Sequence, residues 1–170
     1  MIRIRPEAAA DREAVSRINQ EAFGQSDEAD LVEQLRRDAE PHVSLVAEAD
    51  GTVVGHIFFS PVEIHASGGS IAVMGLAPMA VLPAWQGQGI GGQLVREGLE
   101  ACRRRGVEAV VVLGHPEYYP RFGFRPAVEF GLRSDYDVPE EAFMAMELTE
   151  GALEPAEGEV RYHPAFGAVD

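Results

Sequence analysis

The chain has 170 residues, 46% of them apolar, with one cysteine, no lysine and a formal net charge of −14. That length suits a single domain over residues 1–170 with a sizeable core, and one cysteine excludes both a disulfide framework and a cysteine-rich zinc site, so no metal is expected. The acidity argues against nucleic acid and anionic membrane as partners; with no apolar run near a membrane span and a start unlike a signal peptide, the expected location is cytoplasmic.

Ile2 to Arg5 reads as a short strand ended by Pro6. Asp11 suits the N-cap of a helix running to Phe23, with Val15, Ile18 and Ala22 on one face. A second helix is predicted from Glu28 to Asp38, carrying Leu31, Val32 and Leu35. Ser44 to Glu48 is a strand, Asp50-Gly51 a hairpin turn, and Val53 to Ile64 the partner strand, bent at Pro61. Ser67-Gly68-Gly69-Ser70 makes the next turn and Ile71 to Leu82 a long strand. A glycine-rich turn follows, then an amphipathic helix from Gln93 to Arg105 and a strand from Val107 to Leu113. Pro116 to Phe122 fits a short helix, and Phe143 to Leu148 and Gly158 to Tyr162 fit late strands in a less regular tail. The order predicts a mixed α/β fold, its sheet mostly antiparallel with helices on both faces.

The most informative stretch is Gln86-Gly87-Gln88-Gly89-Ile90-Gly91-Gly92. A glycine turn between strand and helix exposes backbone N–H groups at the positive end of the helix dipole, where phosphate binds. Its surroundings suit an anion. Residues 76–125 hold six arginines and four glutamates, a net +2, which leaves −16 for the rest. Arg103-Arg104-Arg105 belongs to that island, either as part of an anion site or only as favourable charge at a helix C-terminus. Gly87, Gly89 and Gly92 also spell GxGxxG, but Pro83 to Gln86 separate them from the strand. The next strand ends Leu113-Gly114-His115 without the acid a dinucleotide site needs. A nucleotide P-loop would need Lys-Ser/Thr after the glycines.

Position by position, Gln86-Gly87-Gln88-Gly89-Ile90-Gly91 resembles the Gln/Arg-x-x-Gly-x-Gly/Ala signature of the GCN5-related N-acetyltransferase superfamily. Val81-Leu82-Pro83-Ala84-Trp85 is similar to the family's lead-in, and Tyr119-Pro120-Arg121-Phe122-Gly123-Phe124 resembles its Tyr-x-x-x-Gly-Phe segment. These motifs and the strand order cover about residues 1–125, with 126–170 as C-terminal strands and tail. The tail resembles a bacterial branch called YhbS-like.

That resemblance implies the fold of acyl-CoA N-acyltransferases and transfer of an acetyl group from acetyl-CoA to a primary amine, directly, in a ternary complex. The cosubstrate's pyrophosphate would lie on Gln86, Gly87, Gln88, Gly89, Ile90, Gly91 and Gly92, and its pantetheine arm beside Met79, Ala80 and Val81. Tyr119 stands where many members keep a tyrosine near the sulfur, and a phenol of ordinary pKa, about 10, can protonate the departing thiolate. Packing with Phe122 and Phe124 is the other reading of Tyr119; Tyr118 is expected to be structural.

The base is open. Gly75 to Leu82 has no ionisable residue where some relatives place a glutamate. Glu21, Glu28 and His115 are candidates, although His115 precedes Pro116 and could only shape a turn. Cys102 is expected in the core by periodicity, Trp85 beneath the turn, and His56 and His65 in ordinary strand positions. Glu21, Asp27, Glu28 and Asp30 could attract a cationic small-molecule or peptide amine, or could simply be a solvated face. The missing carboxylate keeps a second class open, a non-catalytic acyl-CoA-binding sensor. The chain is expected as a monomer or homodimer, dimers being common in the family it resembles.

Overall fold

The computed structural model describes residues 1–66 and 71–168, the side chains of 65, 66 and 168 excepted; the expected turn at 67–70 lies outside them. In chain order the elements are β1 (Ile2–Pro6), α1 (Arg12–Phe23), α2 (Asp27–Asp38), β2 (Val43–Ala49), β3 (Thr52–Pro61), β4 (Glu63–Ala66), β5 (Val73–Val81), α3 (Ile90–Arg104), β6 (Ala109–Leu113), β7 (Arg125–Pro126), β8 (Leu132–Ser134), β9 (Phe143–Glu147) and β10 (Ala156–Arg161). The main sheet has the order β1-β2-β3-β5-β6-β9-β7. It is antiparallel throughout except for β5 with β6. The mixed α/β expectation therefore holds, and β9 from the tail sits inside the sheet rather than beside it.

Helices cover both faces because the central strands are apolar on both. The α3 stripe Ile90, Leu94, Val95, Leu99 and Cys102 packs on Ile57, Phe59, Met74 and Leu76. On the other face Val15 and Ile18 of α1 and Leu31, Val32 and Leu35 of α2 close over Val46, Phe58 and Ala80. Gly98 is what lets α3 approach: a Cβ there would fall 2.4 Å from the Phe59 ring. The α1 helix ends at Gly24, whose φ of 71° turns the chain towards α2.

Several expected boundaries are corrected. The single strand Val53–Ile64 is two: Pro61, without a ladder donor, ends β3, and β4 leaves for a second sheet of order β4-β10-β8. That sheet covers the Val73, Ala109, Val111 and Ala145 side of the main one. α3 begins at Ile90 rather than Gln93, because Gly89 at φ 83° already starts the turn. Asp11 does not cap α1 through its side chain. Its carboxylate takes two hydrogen bonds from Arg5 and one from the Ala8 N–H, with the Arg5 guanidinium holding its pKa below the usual range.

Candidate active site

β5 and β6 are in register only over Val73↔Ala109, Met74↔Val110 and Gly75↔Val111. Beyond Gly75 the strands separate, and β5 keeps β3 as its partner on the other side. Strand alternation then fixes where its amides point. The Leu82 N–H donates to Val54 O across the β3 side. The Ala80 amide shares that direction, so the Met79 and Val81 amides face the opening. The Val81 carbonyl faces it too, and the Gln86 side chain donates to it at 2.9 Å. Gln86 thus takes the place of a missing strand and fixes the start of the glycine turn; its amide is spent on the protein.

The turn itself needs glycine at Gly87 and Gly89, whose φ values are 79° and 83°. Helix geometry leaves the N–H groups of Ile90, Gly91 and Gly92 without intrahelical acceptors, and no side chain caps them. They open onto a cleft of about 380 Å³ lined by the turn, Val81, Trp85, Arg96, Tyr118, Arg121 and Phe122. Arg96 lies over the Phe122 ring at 5.1 Å and Arg121 over Tyr118 at 4.7 Å. Among the described residues no carboxylate lines this cleft. Two cations, a helix N-terminus and amides without intrahelical acceptors give it the character an anion would suit, inside an acidic protein.

The arginine island thus divides. Arg96 and Arg121 reach the cleft, whereas Arg103 and Arg104 occupy the last turn of α3. Arg103 pairs with Glu100 and Arg105 donates to His42 O, so the triplet serves the helix end. Gln88 is exposed and lies outside the cleft lining. Met79 of β5 also lies outside that lining but packs beside the turn, its Cε 3.6 Å from where a Cβ on Gly91 would sit.

The two tyrosines have different surroundings. Tyr118 lines the cleft, with its hydroxyl 3.3 Å from that same Gly91 position. Tyr119 is 8% exposed and packs edge-on to Tyr118 and Phe124. Its ring lies against Gly114 just past β6, at the parting of the strands, where a Cβ would fall 2.4 Å away. Burial pushes its phenol up to about 12 and raises that of Tyr118 as well.

The base candidates are scattered. His115 is exposed, and its carbonyl accepts from the Tyr118 and Tyr119 N–H groups, so it does shape the turn. Glu28 is buried in the first turn of α2, with Gln25 donating to both its oxygens. Glu21 is half-exposed near Arg17. None of the three lines the cleft. Cys102 is fully buried, with its thiol pushed up to about 12, as a core residue should be.

His56, read from sequence as ordinary, is instead the centre of a buried polar chain. Asn19 of α1 meets its Nδ1 at 3.3 Å, and Ser44 Oγ meets its Nε2 at 2.9 Å. The Ser44 hydroxyl proton goes to Glu7, which Arg36 also binds at 2.6 Å. His56 must then donate from Nε2 and accept at Nδ1, which requires the neutral ring. Burial agrees, lowering its pKa to about 3. Nothing in the strand pattern marked it, because β3 is covered on both faces and shows no in–out alternation.

A family model for the acetyltransferase (GNAT) domain matches residues 3–127. Among curated proteins, the uncharacterised N-acetyltransferase YhbS of Escherichia coli K12 is 39% identical over 164 residues, 96% of this chain and 97% of that protein. The uncharacterised N-acetyltransferase YjhQ of the same strain is 44% identical over 135 residues, 78% of this chain and 75% of that one. Among solved structures, E. coli YhbS in complex with CoA superposes with a TM-score of 0.91 at 37% identity, covering 99% of this chain and 93% of that one. A GNAT family acetyltransferase from Brucella melitensis in complex with acetyl-CoA gives 0.78 at 37% identity, covering 98% of each. A glycine turn at a strand-splay, in this strand order and with these relatives, has one reading: the chain belongs to the GCN5-related N-acetyltransferases, in their YhbS-like branch, and is an acyltransferase.

Proposed function

We propose that this N-acetyltransferase moves the acetyl group of acetyl-CoA onto a primary amine by direct attack in a ternary complex, on one domain spanning 1–170. The observation that carries the reading is the parting of β5 from β6 directly beneath the glycine turn. The pyrophosphate would rest on the N–H groups of Gly87 to Gly92 with Arg96 and Arg121 beside it, and Gln86 would hold the turn in place. The Met79 and Val81 amides would pair with the pantetheine arm, and one of them would hold the thioester oxygen as negative charge gathers there. CoA and acetyl-CoA in the two solved relatives support this placement.

In the transfer the amine nitrogen attacks the thioester carbon, the C–S bond breaks, the amine proton leaves and the sulfur gains one. Tyr119, at the parting of the strands and kept neutral by burial, is our donor to the sulfur. Tyr118 is the second reading, favoured by its place in the cleft lining. With no carboxylate among the described cleft residues, either the amine arrives neutral or a water relay to Glu28 or His115 takes its proton. The acidic first turn of α2 would draw a cationic amine.

The test is thiol release from acetyl-CoA across a panel of small-molecule and peptide amines, beside a CoA thermal shift. Acceleration by an amine supports transfer. A CoA shift with no amine accelerating release leaves the non-catalytic acyl-CoA sensor instead, and no CoA shift removes both readings.

A further inference from the structure

Among the described residues, three arginines lie over aromatic rings: Arg96 over Phe122, Arg121 over Tyr118 and Arg125 over Phe130. They differ in what answers their charge. Arg125 donates to Glu129 at 3.0 and 2.6 Å and lines no part of the glycine-turn cleft. Arg96 and Arg121 line that cleft, and neither has a carboxylate partner among the described residues. Of the three, the two that face the cleft are thus the two left unneutralised, as binding of an anion there requires.

Those two are not equivalent. An Arg96 Nη lies 3.3 Å from where a Cβ on Gly92 would sit, so its charge stands beside the amides that open α3. Arg121 stands on the facing wall, in the tight turn Tyr119–Phe122. Its Nε donates to Tyr118 O at 3.0 Å. That bond fixes one end of the guanidinium, and its two Nη groups have no protein acceptor among the described residues. The Tyr118 ring lies beneath the guanidinium and reaches the turn, its hydroxyl 3.3 Å from the Cβ position of Gly91.

Coenzyme A brings two anionic groups of different shape. Its diphosphate links the pantetheine arm to the ribose and suits a row of amides at a helix start. Its 3′-phosphate is a monoester, with three terminal oxygens and a charge of about −1.5 to −2 at neutral pH. Two parallel N–H bonds from an anchored guanidinium fork suit that second group. We propose that Arg121 binds the 3′-phosphate of coenzyme A while Arg96 and the turn amides hold the diphosphate. Arg121 then sets the choice of acyl donor, favouring coenzyme A over thioesters without that phosphate. The disfavoured donors are 3′-dephospho-CoA and phosphopantetheine carried on a protein. This assignment rests on the acyl-CoA reading of the cleft.

Calorimetry at one fixed ionic strength compares CoA with 3′-dephospho-CoA on the whole chain, native and as Arg121→Gln, Arg121→Lys and Arg96→Gln. The native chain is expected to prefer CoA about tenfold, the size of one charge-assisted contact. In Arg121→Gln the CoA affinity should fall to that of dephospho-CoA, whose own affinity holds, so the preference disappears. Arg121→Lys should keep part of it. Arg96→Gln should weaken both ligands alike and leave the preference standing. Phosphorus NMR of bound CoA gives a second readout. A free phosphate monoester titrates at about 6; on the native chain the 3′-phosphate should titrate lower, and in Arg121→Gln it should return towards its free value. A native chain without preference, a full preference in Arg121→Gln, or its loss in Arg96→Gln instead would each overturn the assignment. Binding of neither ligand by the native chain is a different failure: it would remove the acyl-CoA reading, and the assignment with it.

Discussion

The two polar regions that flank the β3–β5 pair are built on opposite plans. At the glycine turn, the N–H groups of Ile90, Gly91 and Gly92 are left open, Gln86 braces the strand end, and Arg96 and Arg121 stand over aromatic rings. Across the sheet, His56 and its neighbours Asn19, Ser44, Glu7 and Arg36 bind one another in a buried chain. His56 even sits directly across from Ala80, one residue from the amides that face the cleft. The lesson is that polar groups close together in the fold need not share a purpose. Donors left without protein partners at a surface cleft await a ligand. Polar side chains that bind one another under two helices fasten α1 and α2 to the sheet.

That contrast predicts that changes at the cleft alter ligand handling and spare stability, while changes in the buried chain do the reverse. The largest effect is expected from Tyr119→Phe, which keeps the packing and removes the proton: kcat should fall about a hundredfold with the KM for acetyl-CoA held. Steady-state kinetics on an amine from the panel would show it. If Tyr118→Phe gives that loss and Tyr119→Phe does not, the donor is Tyr118 and the cleft lining was the better guide.

Next, Gly91→Val should weaken CoA by about thirtyfold in calorimetry by covering one of the open N–H groups, at 1.5–3 kcal/mol for a charge-assisted bond. The melting temperature should hold, since the new side chain meets only the mobile ends of Tyr118 and Met79. A variant that binds CoA normally would deny that the amides form the phosphate site. Arg96→Gln is expected to cost about tenfold in CoA affinity and to flatten its dependence on salt. Equal salt slopes in native and variant protein would remove Arg96 from the site.

The smallest effect, and the one aimed at the other region, concerns pH. His56 titrates near 3 in the fold, below an unfolded histidine near 6.5. The unfolded chain therefore binds the extra proton first, and stability falls as pH drops through 6.5 towards 3, with no such loss above. Between pH 6.0 and 5.5 this contributes about 0.6 kcal/mol. Denaturant melts of His56→Gln should lack that increment while CoA affinity stays put. A variant with the native pH slope would show that His56 is not buried neutral.

Much of this was readable from residue order. Gly87 and Gly89 allowed the left-handed turn that the backbone makes there, and the apolar run before them and the amphipathic run after them fixed strand and helix. Asp50-Gly51 announced its hairpin, and Cys102 its place on the buried stripe of α3. The rest depends on contacts between distant segments. Tyr118 and Tyr119 are neighbours on a tight turn, and no periodicity decides which faces the cleft; the Gly114 backbone takes Tyr119. The triple arginine looked more basic than the separate Arg96 and Arg121, yet direction along α3 sends the triplet to the far end. The second sheet pairs β4 with β10, some ninety residues apart, through strands too short to carry a pattern.

The sequence by itself determined the family, the glycine turn and the layered α/β plan, because each rests on local backbone chemistry and hydrophobic period. Only the tertiary structure decided where β5 and β6 part, which arginines line the cleft, and that His56 is buried and neutral. Those depend on which residues distant parts of the chain bring face to face, and burial rather than residue type sets their chemistry.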